Sequence, residues 1–232
     1  MSLSNAAETA ILQLLFQNTP WANIGDATGP RGSTTARSFW FSLHNADPGE
    51  AGTAVTNETT YAGYARVAAA RSSGGFTVSG SSVSPAATVT FPTCTGAGDT
   101  VTHYGIVSTA SGAGILVAKG VIGTGGVKPF TADATADLIT SAAHGFAAGD
   151  RVVFEAIEGL SLPTGLTEGT VYFVIATGLT TDAFAISTTS GGAAVNITAS
   201  GGGMLFKCTP LVITSSPAVT PALTTATVFT LG

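Results

Sequence analysis

The amino-acid sequence predicts an all-β protein: an antiparallel, sandwich- or barrel-like core with one helix at its amino terminus and a second, small β domain inserted into it. Three observations carry this reading. From residue 38 onward the apolar residues fall in short β-prone runs, separated by Gly/Ser/Thr-rich turns at the close intervals of a sandwich or barrel. Helical spacing of apolar residues is convincing only near the amino terminus. A block lying between two glycine-rich joints differs in charge from everything around it.

In chain order, Ala7, Ala10, Ile11, Leu14 and Leu15 fall on one face at i, i+3, i+4 spacing. Asn5-Ala6-Ala7-Glu8 has the form of a capping box, and the helix should end near Asn18, ahead of Pro20. Residues 24–35 are rich in Gly, Thr and Pro without a period and read as a loop or arm. Residues 38–43 (SFWFSL) form an aromatic strand, and His44-Asn45-Ala46-Asp47-Pro48-Gly49-Glu50 ends it with turn chemistry, Pro48 setting φ and Gly49 accepting a positive one. Further strands are expected at 65–70, 76–79, 82–83, 87–91, 103–108 and 114–121.

Gly123-Thr124-Gly125-Gly126 and Gly201-Gly202-Gly203 read as flexible joints on either side of the inserted block. Between them lie Asp133, Asp137, Asp150, Glu155, Glu158, Glu168 and Asp182 against only Lys128 and Arg151, whereas acids and bases balance in the rest of the chain. About five short strands are expected in the block, at 138–140, 151–155, 171–176, 183–187 and 194–198. Residues 205–208, 211–213 and 226–231 look like strands that rejoin the first sheet. The expected domains are therefore 1–126 plus 205–232, with 127–204 as the insertion, a kind of addition tolerated where its two ends meet at a surface loop.

Only 9% of residues are charged while 44% are hydrophobic, which excludes a disordered chain. The longest apolar stretches, 11–16 and 171–176, are far below the ~20 residues of a membrane helix, so no membrane partner is expected. The amino terminus has no basic region ahead of an apolar core, so synthesis and folding in a cytoplasm are expected. A net charge of −5 with eight scattered bases offers no basic stripe for nucleic acid. A mean hydropathy of +0.42 without membrane spans leaves a surface of Ser, Thr, Ala and Gly, with little charge repulsion to keep copies apart, which favours life in an assembly. Cys94 and Cys208 belong to no Cys/His cluster and read as small buried thiols.

At 42–50 (SLHNADPGE) the sequence resembles a family of tailed-phage virion proteins labelled phage tail fiber protein, members of which are also identified as capsid decoration, or cement, proteins. The similarity continues through Asn57-Glu58, Gly63-Tyr64-Ala65-Arg66-Val67, Val89-Thr90-Phe91-Pro92 and His103-Tyr104-Gly105-Ile106, and the Leu-Leu-Phe end of the helix fits as well. The family's usual ending appears here only after residue 204. The inserted block looks like an FCCH-like β domain at His144-Gly145-Phe146, Gly149-Asp150-Arg151-Val152, Leu162-Pro163-Thr164-Gly165-Leu166, Gly169-Thr170-Val171-Tyr172 and Phe184. The resemblance implies a structural virion protein on the outer capsid surface, with the major capsid protein and further copies of itself, as a trimer, for partners. It brings no catalytic residue, cofactor or metal. The alternative is a tail-tip or tail-fibre component whose inserted domain binds a host receptor or glycan.

The residues leave little for chemistry. His44 and His103 could converge in a sheet but have no Cys or Glu at ligand spacing. Serines abound, yet no Gly-x-Ser-x-Gly elbow is present. Glu50 with Glu58, or Glu155 with Glu158, could flank a sugar, and both pairs are more simply loop carboxylates. The interface candidates are Leu14, Leu15 and Phe16 on the helix, Arg31 in the arm, Arg37, Trp40 on the face opposite Phe39 and Phe41, and Arg66 and Arg71 near the ends of their strand. For the two strand arginines, pairing within the chain with Glu50 or Glu58 is the competing expectation.

Overall fold

The computed structural model of the protein describes residues 4–20, 36–123, 127–157, 159–224 and 229–230. In chain order the elements are α1 (Asn5–Gln17), β1 (Ser38–His44), β2 (Val67–Ala70), β3 (Phe76–Ser79), β4 (Ser82–Pro85), β5 (Val89–Thr90), β6 (Asp99–Val101), β7 (His103–Val107), β8 (Leu116–Val121), β9 (Lys128–Asp133), β10 (Leu138–Thr140), β11 (Arg151–Glu155), β12 (Val171–Ile175), β13 (Ala183–Ser187), β14 (Gly201–Cys208), β15 (Leu211–Ile213), β16 (Ala222–Leu223) and β17 (Phe229–Thr230). The fold is all-β with an amino-terminal helix. The chain forms two compact units, 1–120 with 212–232 and 121–211.

The first unit is built on a four-stranded sheet of order β2-β1-β7-β8, with β1 antiparallel to both of its neighbours. Alternation sends Phe39, Phe41 and Leu43 to one face, where all three are buried. Phe76 of the β3–β4 hairpin lies 5.8 Å from Phe41 and 6.3 Å from Phe39, ring centre to ring centre, and Phe16 of α1 lies 5.2 Å from Phe76. This four-ring cluster holds the helix. Leu12 and Phe16, at i and i+4, are the buried helical residues, whereas Leu15 is 37% exposed. The buried stripe is thus turned by one residue from the expected one, because Phe16 is the side chain that reaches the ring cluster. The cap is also shifted: Ser4, ahead of Asn5, is the N-cap, its Oγ accepting the Ala7 N–H at 3.4 Å, and Asn18 closes the helix in the left-handed conformation. Thr9 Oγ1 donates to the Gly80 carbonyl and Gln17 Nε2 to that of Phe76, tying both ends of α1 to the hairpin.

The tail of the chain does not extend the main sheet. β15 pairs with β6, β16 with β5 and β17 with β4, so three separate short pairings fasten it. Of these partners β6 (Asp99–Val101) lay outside the strands expected from the sequence, its Thr100 and Val101 being too short a β-prone run after Asp99 to stand out.

The second unit is a closed six-stranded barrel of order β10-β13-β12-β11-β14-β9. Phe130, Ile139, Val152, Phe154, Tyr172, Val174, Phe184, Ile186 and Leu205 fill it, each strand contributing alternate residues. Three expectations are corrected here. Gly201-Gly202-Gly203, read as a flexible joint, is the first half of β14, in register with Ala132, Thr131 and Phe130 of β9. The reason is steric: a Cβ at Gly201 would stand 2.6 Å from the Ser161 carbonyl oxygen, one at Gly202 2.8 Å from that of Phe130, and one at Gly203 2.3 Å from that of Glu155. Residues 205–208, expected in the first sheet, complete β14 and pair with β11, so this unit reaches past residue 204. Residues 194–198, expected as a strand, are irregular; Ile197 plugs the barrel core while its N–H donates to Asp137 Oδ1 at 2.7 Å.

Candidate functional site

The loop side of the main sheet is organised by Arg66. Its Nε donates to Glu58 Oε1 at 2.6 Å and its Nη2 to Glu58 Oε2 at 2.7 Å, a two-pronged ion pair with the guanidinium side chain only 2% exposed. The same group donates to the carbonyls of Ala54, Thr109 and Gly112. Tyr64 OH donates to Glu58 Oε1 and accepts the Leu43 N–H. Burial, then the bound Glu58 carboxylate, push the Tyr64 hydroxyl far above its ordinary range. Arg66 therefore stitches the 52–58 loop to the 109–114 turn, which also meet through the Ala54 N–H on the Gly114 carbonyl and a bridge between Thr53 and Ile115. Two apolar side chains stand out of this rigid pair of loops, Ile115 at 72% and Val55 at 46% exposed.

A second feature is a groove of 310 Å³ between the α1 residues Ile11, Leu12, Leu15 and Phe16, the Gly49–Glu50 turn and β8 residues 116–119. The turn is set by Asp47, whose Oδ1 accepts the Gly49 N–H at 2.9 Å, with Gly49 at φ +72°. Lys119 Nζ lies 3.2 Å from Asp47 Oδ2 and 3.4 Å from Glu50 Oε1, joining β8 to that turn.

Close by, His44 and His103 face each other across the β1–β7 ladder. Both are buried. His44 Nδ1 lies 2.8 Å from the Thr56 carbonyl and must carry the proton, so Nε2 accepts from the Ser42 hydroxyl at 2.8 Å. A serine and a histidine in contact resemble a nucleophile with its base, but Ser42 and His44 are both 0% exposed, so no substrate meets the hydroxyl. Burial holds the His44 imidazole below its ordinary value. Among the described residues no three His, Cys, Asp or Glu side chains gather to hold a metal ion.

The interface candidates are placed as follows. Arg71 donates from Nε to the Leu15 carbonyl and from Nη2 to that of Leu14, and its guanidinium lies 5.5 Å over the Phe39 ring. It thus satisfies two carbonyls in the last turn of α1. Leu14 is half-buried, Leu15 is exposed on the groove rim and Phe16 is buried among rings. Arg37 is exposed, its carbonyl accepting the Arg71 N–H. Trp40 is half-buried on the face opposite Phe39 and Phe41, beside the exposed Ala68 of β2. Arg31 and the rest of the arm lie outside the described residues, as does Glu158. Sequence reasoning missed Lys119, Val55 and Ile115; a lone lysine within the apolar run of β8 was the available signal for the first.

In the barrel, Lys207 Nζ meets Asp150 Oδ2 at 2.7 Å and Arg151 lies 5.2 Å over Phe173. Burial works against the Asp150 charge, but hydrogen bonds from Lys207 and the Ala147 N–H outweigh it and hold the carboxyl below its ordinary value. His144 Nδ1 accepts the Phe146 N–H, which leaves its buried Nε2–H without a hydrogen-bond partner among the described residues, the Phe184 ring lying 4.8 Å away, ring centre to ring centre, at a steep angle.

With both units described, one comparison identifies the lineage. The family described as podophage GP4 fiber I protein gp80 matches residues 2–124. The chain belongs to this family. It is a structural phage virion protein. The matched residues of this fiber I family member build most of the first unit, and the barrel follows them. No curated protein matches the sequence.

Proposed function

We propose that this fiber I family member is a particle-bound fibre-type protein in which the first unit makes the attachment and the barrel is carried as a displayed module. The observation that supports this is the coincidence of the family match with the first unit: 2–124 stops before the first barrel strand. The FCCH-like pattern of the barrel, a module grafted onto structural proteins, agrees with an added part. Ile115 and Val55, held out on the Arg66-locked loops, have the chemistry of an attachment contact, since a pre-ordered apolar surface loses little entropy on binding. Replacing residues 121–211 by a short Gly/Ser linker should leave particle incorporation intact, whereas loss of incorporation would refute the division of labour. Ile115→Asp should lower incorporation at least tenfold without changing the thermal midpoint of the free protein.

The second reading, head decoration, rests on the cement-protein resemblance of the 42–50 segment. In it a trimer clamps neighbouring major capsid proteins on the outer shell, and repetition over the lattice multiplies a modest affinity. Copy number per virion with gold-labelled antibody separates the two: a handful of copies at the tail supports the fibre, hundreds spread over the head support decoration.

A further inference from the structure

His103 carries a buried nitrogen with nothing bound to it. The Thr102 hydroxyl donates to the Asn45 carbonyl at 2.9 Å, so it can only accept from His103 Nδ1, 2.9 Å away. The proton therefore sits on Nδ1, and the Nε2 lone pair has no partner although the residue is 2% exposed. An unpaired buried acceptor costs free energy and is an open place for a proton. Three charged or titratable groups act on this imidazole: Asp47 from the turn after β1 favours its cation, and Lys119 on β8 and His44 on β1 oppose it. Around His44 stand Glu58 and Asp47, which favour its cation, and Arg66, which opposes it, while Glu50 shares Lys119 with Asp47. The same Asp47 carboxylate thus pairs with Lys119 and acts through its charge on His103, and the Lys119–Asp47 contact joins two walls of the 310 Å³ groove, β8 and the Gly49–Glu50 turn.

We propose that His103 is the trigger of an acid-operated opening of this groove: a proton taken up at Nε2 draws Asp47 away from Lys119, and β8 is released from the turn. Before the event Nε2 is an idle acceptor; after it, Nε2–H is a donor that must find an oxygen, and Asp47 is the carboxylate whose charge favours the imidazolium. Lys119 and the His103 imidazolium repel one another and both attract the Asp47 carboxylate, so the bridge and the imidazolium compete for it. Burial together with Lys119 and His44 depresses the imidazole to about 4, which keeps the groove closed at neutral pH and makes the opening a response to acid.

The test is an NMR titration of the isotopically labelled full chain, following the His103 ring and the amides of Gly49, Glu50 and Lys119. One shared midpoint below the ordinary histidine value is expected. Lys119→Met removes an opposing charge and should raise that midpoint by roughly one pH unit, and Asp47→Asn removes the favouring charge and should lower it. His103→Gln should abolish the movement of the Gly49 and Lys119 amides. Amides that stay still while His103 titrates, movement that persists in His103→Gln, or midpoints that shift the same way in Lys119→Met and Asp47→Asn would each overturn the proposal. Should the glutamine variant not fold, the opposed shifts of the other two decide alone.

Discussion

Arg66 shows how one side chain can decide the shape of a whole loop surface. With its own side chain 2% exposed, it binds one carboxylate and three backbone carbonyls from two loops. Removing it would strand Glu58 in a site where the glutamate side chain is only 14% exposed. Arg66→Ala should therefore cost about 3–5 kcal/mol, read as a drop in the urea midpoint. Arg66→Lys keeps the charge but loses the fork, and should recover less than half of that loss. The Glu58 pairing was one of two alternatives open in the sequence. The carbonyl partners were not legible, because backbone acceptors carry no residue signature. The same limit hid the groove cluster: Lys119 lies far along the chain from Asp47, and only the β1–β7–β8 neighbourhood brings them to 3.2 Å.

Among elements, α1 and β14 show what sequence pattern can and cannot resolve. Apolar spacing located the helix and its end at Asn18, yet the buried stripe was off by one residue, since periodicity cannot tell which neighbour offers a ring cluster. Phe16→Ala should destabilise the first unit by about 3–5 kcal/mol, whereas Leu15→Ala, at an exposed position, should stay within about 1 kcal/mol; thermal unfolding of the two variants checks the ordering. Strands with β-branched or aromatic residues, such as β1, β11 and β13, were read at or within a residue of their true limits. β14 was not, because three glycines carry no hydrophobic alternation. They are required by close approach of carbonyls from neighbouring segments. Gly203→Ala should cost about 3 kcal/mol or more of barrel stability, seen by calorimetry as an earlier barrel transition.

At the scale of the whole molecule, the two units should fail at different acidities. His103 is depressed when folded, so its contribution is intact above about pH 6.5 and declines as the pH falls toward about 4, where the unfolded chain binds a proton that the folded one resists. Asp150 is also depressed, but as a carboxylate: its contribution is present above its ordinary value of 3.8 and is lost only as the pH falls through the lower folded value. Calorimetry from pH 7 to pH 4 should move the first-unit transition down while the barrel transition holds. The identical displacement of both would contradict this assignment. The all-β class and the helix were legible in the sequence; the strand formed by residues 201–208 was not, because it begins in glycines that look like a hinge. That strand also bears on how the lineage can drift. Every single-base missense change in a glycine codon adds a side chain, so the three consecutive codons of Gly201, Gly202 and Gly203 have no conservative neighbour in mutational space. Relatives that keep the barrel should show these positions frozen while the surrounding loops diverge.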